Sequence, residues 1–204
     1  NDSLLKDNLR FFSYQPDQTI KTLVVDGDPN IVEHQSETFY LERALNPFNS
    51  SLSNIELTLS TLAELPKRNL FDYSVIILCN ARNLPFGYEQ ELEKFVFHGG
   101  ALLVTLGDQV DPKFYNEKLG NILPVFLKSM HQVKKNDAPL RFLIDPSKHP
   151  VLEVFKEQTL EEMRSIEFQS IYSVEAREGT HYIHLVVFNS TAHVFIESIF
   201  GSNI

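Results

Sequence analysis

The sequence predicts an α/β fold: a doubly wound, mainly parallel sheet with a C-terminal antiparallel extension. Three observations predict it. Short apolar runs at 23–25 ("LVV"), 75–79 ("VIILC") and 101–106 ("ALLVTL") lack polar alternation, the pattern of parallel strands covered on both faces. Helical spacing follows the first run and precedes the third, giving the order β-α-β-β-α-β, which builds a parallel sheet through crossovers. Beyond residue 160 the pattern turns to alternation, which suits antiparallel strands.

Residues 1–20 are polar with Phe11, Phe12 and Tyr14 among them and read as an entry segment or edge strand. The first buried strand is "KTLVVDGD", 21–28. A helix is expected from Ser36 to about Asn46, with Ser36 as N-cap, Glu37 at the positive end of the dipole and Pro47 as the stop. "SNIELTLSTL", 53–62, alternates Ile55, Leu57 and Leu59 as a strand does, and "YSVIILCN", 73–80, is a second buried strand. "GYEQELEKFVFHGG", 87–100, is a helix stopped by Gly99-Gly100. "ALLVTLGD", 101–108, is the third buried strand.

The later segments are less regular. "YNEKLGNILPVFL", 115–127, reads as helical and broken by Pro124, with a polar loop over 128–140. "RFLID", 141–145, is a short strand and "HPVLEVF", 149–155, a short helix. "IEFQSIYSVEAR", 166–177, and "THYIHLVVFN", 180–189, read as an antiparallel pair across Glu178-Gly179, with a further strand at 192–200. The segment 160–204 is thus a β-rich extension of one domain over 1–204.

Composition narrows the function. The 204 residues are 43% hydrophobic and carry a net charge of −9. That suits a full core and opposes binding to nucleic acid, which needs basic patches. No run of about 20 apolar residues is present to insert in a bilayer. The single cysteine, Cys79, ends an apolar strand and reads as a packed, inert thiol. The chain begins at Asn1 and stops at Ile204 after an apolar stretch, and reads as a piece of a longer protein.

In open parallel sheets, ligands bind outside the carboxyl ends of the strands. Those ends bring Asp26 and Asp28, then Asn80, then Gly107 and Asp108, with Ser36 and Glu37 opening the first helix and Asp111 just beyond. These residues are the candidate crevice. Asp26, Asp28 and Asp108 are also the candidate ligands of a divalent metal, since clustered carboxylates hold such ions; the same residues serve equally as turn and cap chemistry. No phosphate loop, nucleophile elbow or zinc spacing is present.

"LVVDGDP…SETFYLERALNP", "YSVIILCNARNLP", "LEKFVFHGGALLVTLGDQVDPKFYN" and "HPVLEVF" together resemble the class I glutamine amidotransferase-like domain of bacterial membrane proteins of the BatA (aerotolerance) type. The resemblance covers about residues 20–200. It implies a flavodoxin-like fold and a soluble domain of a membrane-anchored cell-envelope protein; the periplasmic side is the expectation and the cytoplasmic side the alternative. The parent superfamily uses a Cys-His-Glu triad, with its cysteine after the strand that here is "ALLVTLGD". Leu106, Gly107 and Asp108 stand there instead, and His149 is followed by Pro150-Val151 rather than by a proline and glutamate. The expectation is a non-catalytic binding or interaction module without a cofactor, partnered by another protein or by flanking domains of the same protein. The alternatives are a metal-dependent hydrolase using the acidic crevice, and an assembly element pairing through an edge in 166–200.

Overall fold

Four parallel strands carry the fold: β1 (Ile20–Asp26), β2 (Ile55–Thr61), β3 (Val75–Cys79) and β4 (Ala101–Thr105), in the order β2-β1-β3-β4. The structure is a computed structural model that describes residues 19–47, 54–134, 138–144, 155, 157–177, 184–188 and 192–195. Residues 1–18 of the entry segment expected over 1–20, His149, nearly all of the helix expected at 149–155, the Glu178-Gly179 turn and residues 196–200 of the last expected strand lie outside the described residues.

The strand order reverses between β1 and β3. The chain leaves β1 through α1 (Phe39–Leu45) to β2 on one side, then returns past β1 to β3 and through α2 (Tyr88–Phe97) to β4 on the other. Such a reversal leaves an open crevice at the carboxyl ends of the two inner strands.

Register divides the side chains between two faces. Leu23 lies beside Ile76 and Ile76 beside Leu102; Val25 lies beside Leu78 and Leu78 beside Val104. This row packs with Leu92 and Phe95 of α2 and with Tyr115 and Leu119 to form the main core. Each fully buried aliphatic contributes roughly 1.5–3 kcal/mol. The opposite row holds Val24, Ile77 and Cys79, packed among the described residues by Leu41, Leu45, Leu57 and Val75. The helix on that face, α1, has no buried residue.

Beyond β4 the parallel pattern ends. Helix α3 (Pro112–Lys118) leads into β5 (Val125–Gln132), which pairs antiparallel with β8 (Ser170–Ala176). A second antiparallel sheet runs β10-β9-β6-β7, formed by β6 (Leu140–Ile144), β7 (Glu167–Phe168), β9 (His184–Phe188) and β10 (Ala192–Phe195), with α4 (Glu157–Arg164) between β6 and β7. The mixed parallel and antiparallel architecture is therefore the expected one. No helix among the described residues is long and apolar enough to cross a membrane.

Several elements differ from expectation. The first helix starts at Phe39 behind Thr38, not at Ser36, because the Ser36 hydroxyl is committed to Asp26. Strand β4 is not buried on both faces: Leu102 and Val104 face the core, but Leu103 is 41% exposed. The helical reading of 115–127 fails in both directions. Asp111 caps α3 by accepting from Lys113 N (3.0 Å), with Pro112 in its first turn, so the helix begins before 115. It ends at Lys118, and the Asn116 side chain then brackets Leu127 through both backbone groups (2.8 and 2.9 Å), holding that residue extended. The expected loop at 128–140 is strand as far as Gln132. Among the described residues, the segments 166–177 and 180–189 do not pair with each other: β8 takes β5, and β9 lies between β10 and β6.

Candidate functional site

The crevice is built on two polar nodes at the carboxyl ends of β1 and β3. The first is Asp26, only 6% exposed. Its Oδ1 accepts from Asp28 N (3.1 Å), an Asx turn that folds the chain back after the strand. Its Oδ2 accepts from the Ser36 hydroxyl and from Thr38 Oγ1 (3.1 Å). Three donors to one buried carboxylate offset the cost of taking its oxygens out of water. Gly27 makes the turn possible. Its N–H donates to Cys79 O at 2.8 Å, and a Cβ there would stand 2.4 Å from Ala81 Cα.

The second node is Asn80. It is 1% exposed and left-handed, with φ of 46°, a conformation asparagine tolerates better than most residues. Its N–H donates to Thr105 O (3.0 Å), drawing the end of β3 against β4. The side-chain amide donates to Glu37 Oε1 and to Asp108 Oδ1, both at 2.9 Å, and accepts from Gln109 N at 2.9 Å. Gly107 lies against this amide; a Cβ would meet Asn80 Cγ at 2.3 Å.

The structure thus brings the seven candidate residues to one place, and joins them in two groups: Asp26 with Asp28 and Ser36, and Asn80 with Glu37, Gly107 and Asp108. Asp111 joins neither group by a hydrogen bond and caps α3. Beside Asp108 an open depression of about 360 Å³ is lined by Arg82, Asp108, Gln109, Val110, Asp111 and Pro112. Arg82 sets one cation against two carboxylates there, so a polar ligand with both donors and acceptors matches it best.

The metal reading does not gain from this geometry. Asp26 is occupied by Ser36 and Thr38, and Asp108 by Asn80. Among the described residues no three His, Cys, Asp or Glu side chains are grouped to hold an ion.

Cys79 faces the second core, not the crevice. Burial pushes its thiol up to about 11; a hydrogen bond with Thr105 opposes the rise, and the Asp26 and Glu37 charges add to it. At pH 8 only about one thiol in a thousand would then be ionised. Ellman's reagent should therefore leave the native chain unmodified over an hour and titrate one thiol at once in guanidinium. Rapid reaction of the native chain would place Cys79 in an open site.

Four contributors escaped the sequence reading. Thr38 was hidden inside the expected helix, although its spacing of two from Ser36 in a Ser-x-Thr run is the signal of a shared acceptor. Gln109 acts through its backbone, which no side-chain pattern reveals. Tyr115 donates from a fully buried ring to Ala81 O at 2.7 Å and fixes the loop behind Asn80; burial raises its phenol. Tyr172 does the same from β8, donating to Val110 O at 3.1 Å.

No family model matches the chain, and no curated protein is similar to it. Among solved structures, a ThuA-like protein from Bacteroides uniformis is similar, with a TM-score of 0.51 and 14% identity, over 86% of this chain and 70% of that one. At that identity the likeness speaks for the fold alone: the chain has a mixed α/β, flavodoxin-like architecture.

Proposed function

We propose that the chain is a non-catalytic, amidotransferase-like binding module that uses the crevice at the ends of β1, β3 and β4. The observation that carries this reading is the state of Asn80. The turn after β4, where the resembled superfamily places its cysteine, holds Gly107 and Asp108 instead, both set against the buried amide of Asn80. The thiol next to it points into the core. What remains accessible is polar recognition at Arg82, Asp108 and Asp111. The resemblance of "LVVDGDP…SETFYLERALNP" supports placing the module in a bacterial cell-envelope protein of the BatA type, with flanking domains or another protein as partner.

The test is a thermal-shift screen against glutamine, related amides and carboxylates, and Mg²⁺, Ca²⁺, Mn²⁺ and Zn²⁺, beside Asp28→Asn and Asp108→Asn. A ligand at a hundred times its Kd adds about 2.7 kcal/mol. The expected result is a rise with a polar organic ligand that is lost in Asp108→Asn, with no ammonia released from glutamine. A metal-dependent rise lost in both variants would overturn the reading in favour of the hydrolase, as would amide turnover.

A further inference from the structure

We propose that β4 is a dimer edge, at which a second copy of this chain adds its own β4 antiparallel and extends the two central sheets into one. The inference does not rest on the proposed function. Two hydrogen bonds fix which way the β4 backbone faces: Ala101 N donates to Ser74 O and Asn80 N to Thr105 O, both at 3.0 Å. Residues 101, 103 and 105 therefore turn their N–H and C=O groups to β3, and Leu102 and Val104 turn theirs away. No strand among the described residues pairs with that side.

Exposed edges are normally guarded by charge, proline or a bulge. The opposite edge strand, β2, carries Glu56. The run "ALLVT" of β4 has no charge and no proline, and its pairing with β3 is free of register shifts. It also leaves apolar surface open, with Leu103 41% and Leu106 39% exposed, as Leu59 is on β2 at 40%.

The strand is complementary to itself. About a two-fold axis through Leu103, the outward groups of Leu102 meet those of Val104 in the second copy, making four backbone hydrogen bonds. Leu103 then faces its own counterpart at the close, non-hydrogen-bonded position, and Ala101 faces Thr105, so no charge opposes another. A parallel or shifted pairing would leave the two Leu103 side chains apart. A second copy therefore satisfies both the unpaired backbone and the open leucine, which is why it is favoured over a foreign strand.

The experiment uses the full chain. Light scattering on the size-exclusion peak is expected to give twice the 23.4 kDa of one chain. Leu103→Lys sets two ammonium groups opposite each other and should weaken the dimer by about tenfold or more. Leu103→Cys supplies a second readout should the lysine variant misfold. Cα atoms at a non-hydrogen-bonded pair lie about 4.5 Å apart, within the disulfide range of about 4.4–6.8 Å. Mild oxidation should cross-link this variant quantitatively, while the parent, with only buried Cys79, and Glu56→Cys on the opposite edge stay single chains. A strict monomer at high protein and salt, a dimer indifferent to Leu103→Lys, polydisperse aggregates, or equal cross-linking from Glu56→Cys would each overturn the proposal.

Discussion

Gly27→Ala is expected to destabilise the chain by about 3 kcal/mol or more, at the upper end of the cost of overpacking. For a chain of this size that lowers the melting midpoint by roughly 6–12 °C. The reason is that the obstructing atoms cannot move away. The new methyl would meet Ala81 Cα at 2.4 Å, Ala81 N at 2.5 Å and Cys79 O at 2.5 Å, all of them backbone. Relief requires β1 and β3 to part at the end where Gly27 N holds Cys79 O, and the Asp26 node lies immediately beside that bond. Gly87→Ala is the control. Gly87 has φ of 84°, and an added methyl would find nothing within 4 Å, so only the left-handed backbone cost of about 1–2 kcal/mol applies. Equal losses in the two variants would mean that the close approach at Gly27 is not what constrains the turn.

The central strands were legible because their signal is simple. A run such as "VIILC" must be buried on both faces or nowhere, and β3 is buried from Ile76 to Cys79. The same logic misread "ALLVTL", since an apolar run does not say whether the sheet continues beyond it. That depends on where β5 goes, and β5 leaves because Asn116 and β8 capture it. Those contacts lie 11 residues away for Asn116 and Leu127 and 62 residues away for Tyr172 and Val110, too far for periodicity to detect. The pairings of β6 with β9 and β8 with β5 failed for the same reason: alternation identifies strands, not partners.

The crevice was legible as a location rather than as a mechanism. A doubly wound sheet fixes where strand ends converge, and Asp26, Asn80 and Asp108 meet there. What could not be read was how the polar groups spend their hydrogen bonds. Asp26 has the composition of a metal ligand but is occupied by two hydroxyls, and Ser36 reads as a helix cap but serves Asp26 instead. Both outcomes hinge on the course of the 29–38 loop, which folds as a 3₁₀ turn at Glu33–Gln35 before α1 begins.

Asn80→Asp is expected to cost about 3–5 kcal/mol at neutral pH, the scale for leaving a buried charge unpaired. The substitution changes almost no volume. It removes the two donors that satisfy Glu37 and Asp108 and puts a carboxylate between theirs, at a position 1% exposed. Repulsion and burial would raise the new carboxyl above its unfolded value. The folded state then binds the proton that the unfolded state has released, so stability falls as pH rises through the interval between the two values. Below the unfolded value both states are protonated, the new group can donate one hydrogen bond, and most of the deficit should vanish. Denaturant melts of both forms from pH 7 to pH 4 measure this directly. Asn80→Ala, which loses the same donors without adding charge, should show the smaller dependence on pH over that range. If the two variants run parallel with pH, the amide acts only by shape; if they converge as pH falls, its work is to hold two carboxylates side by side at the mouth of the crevice.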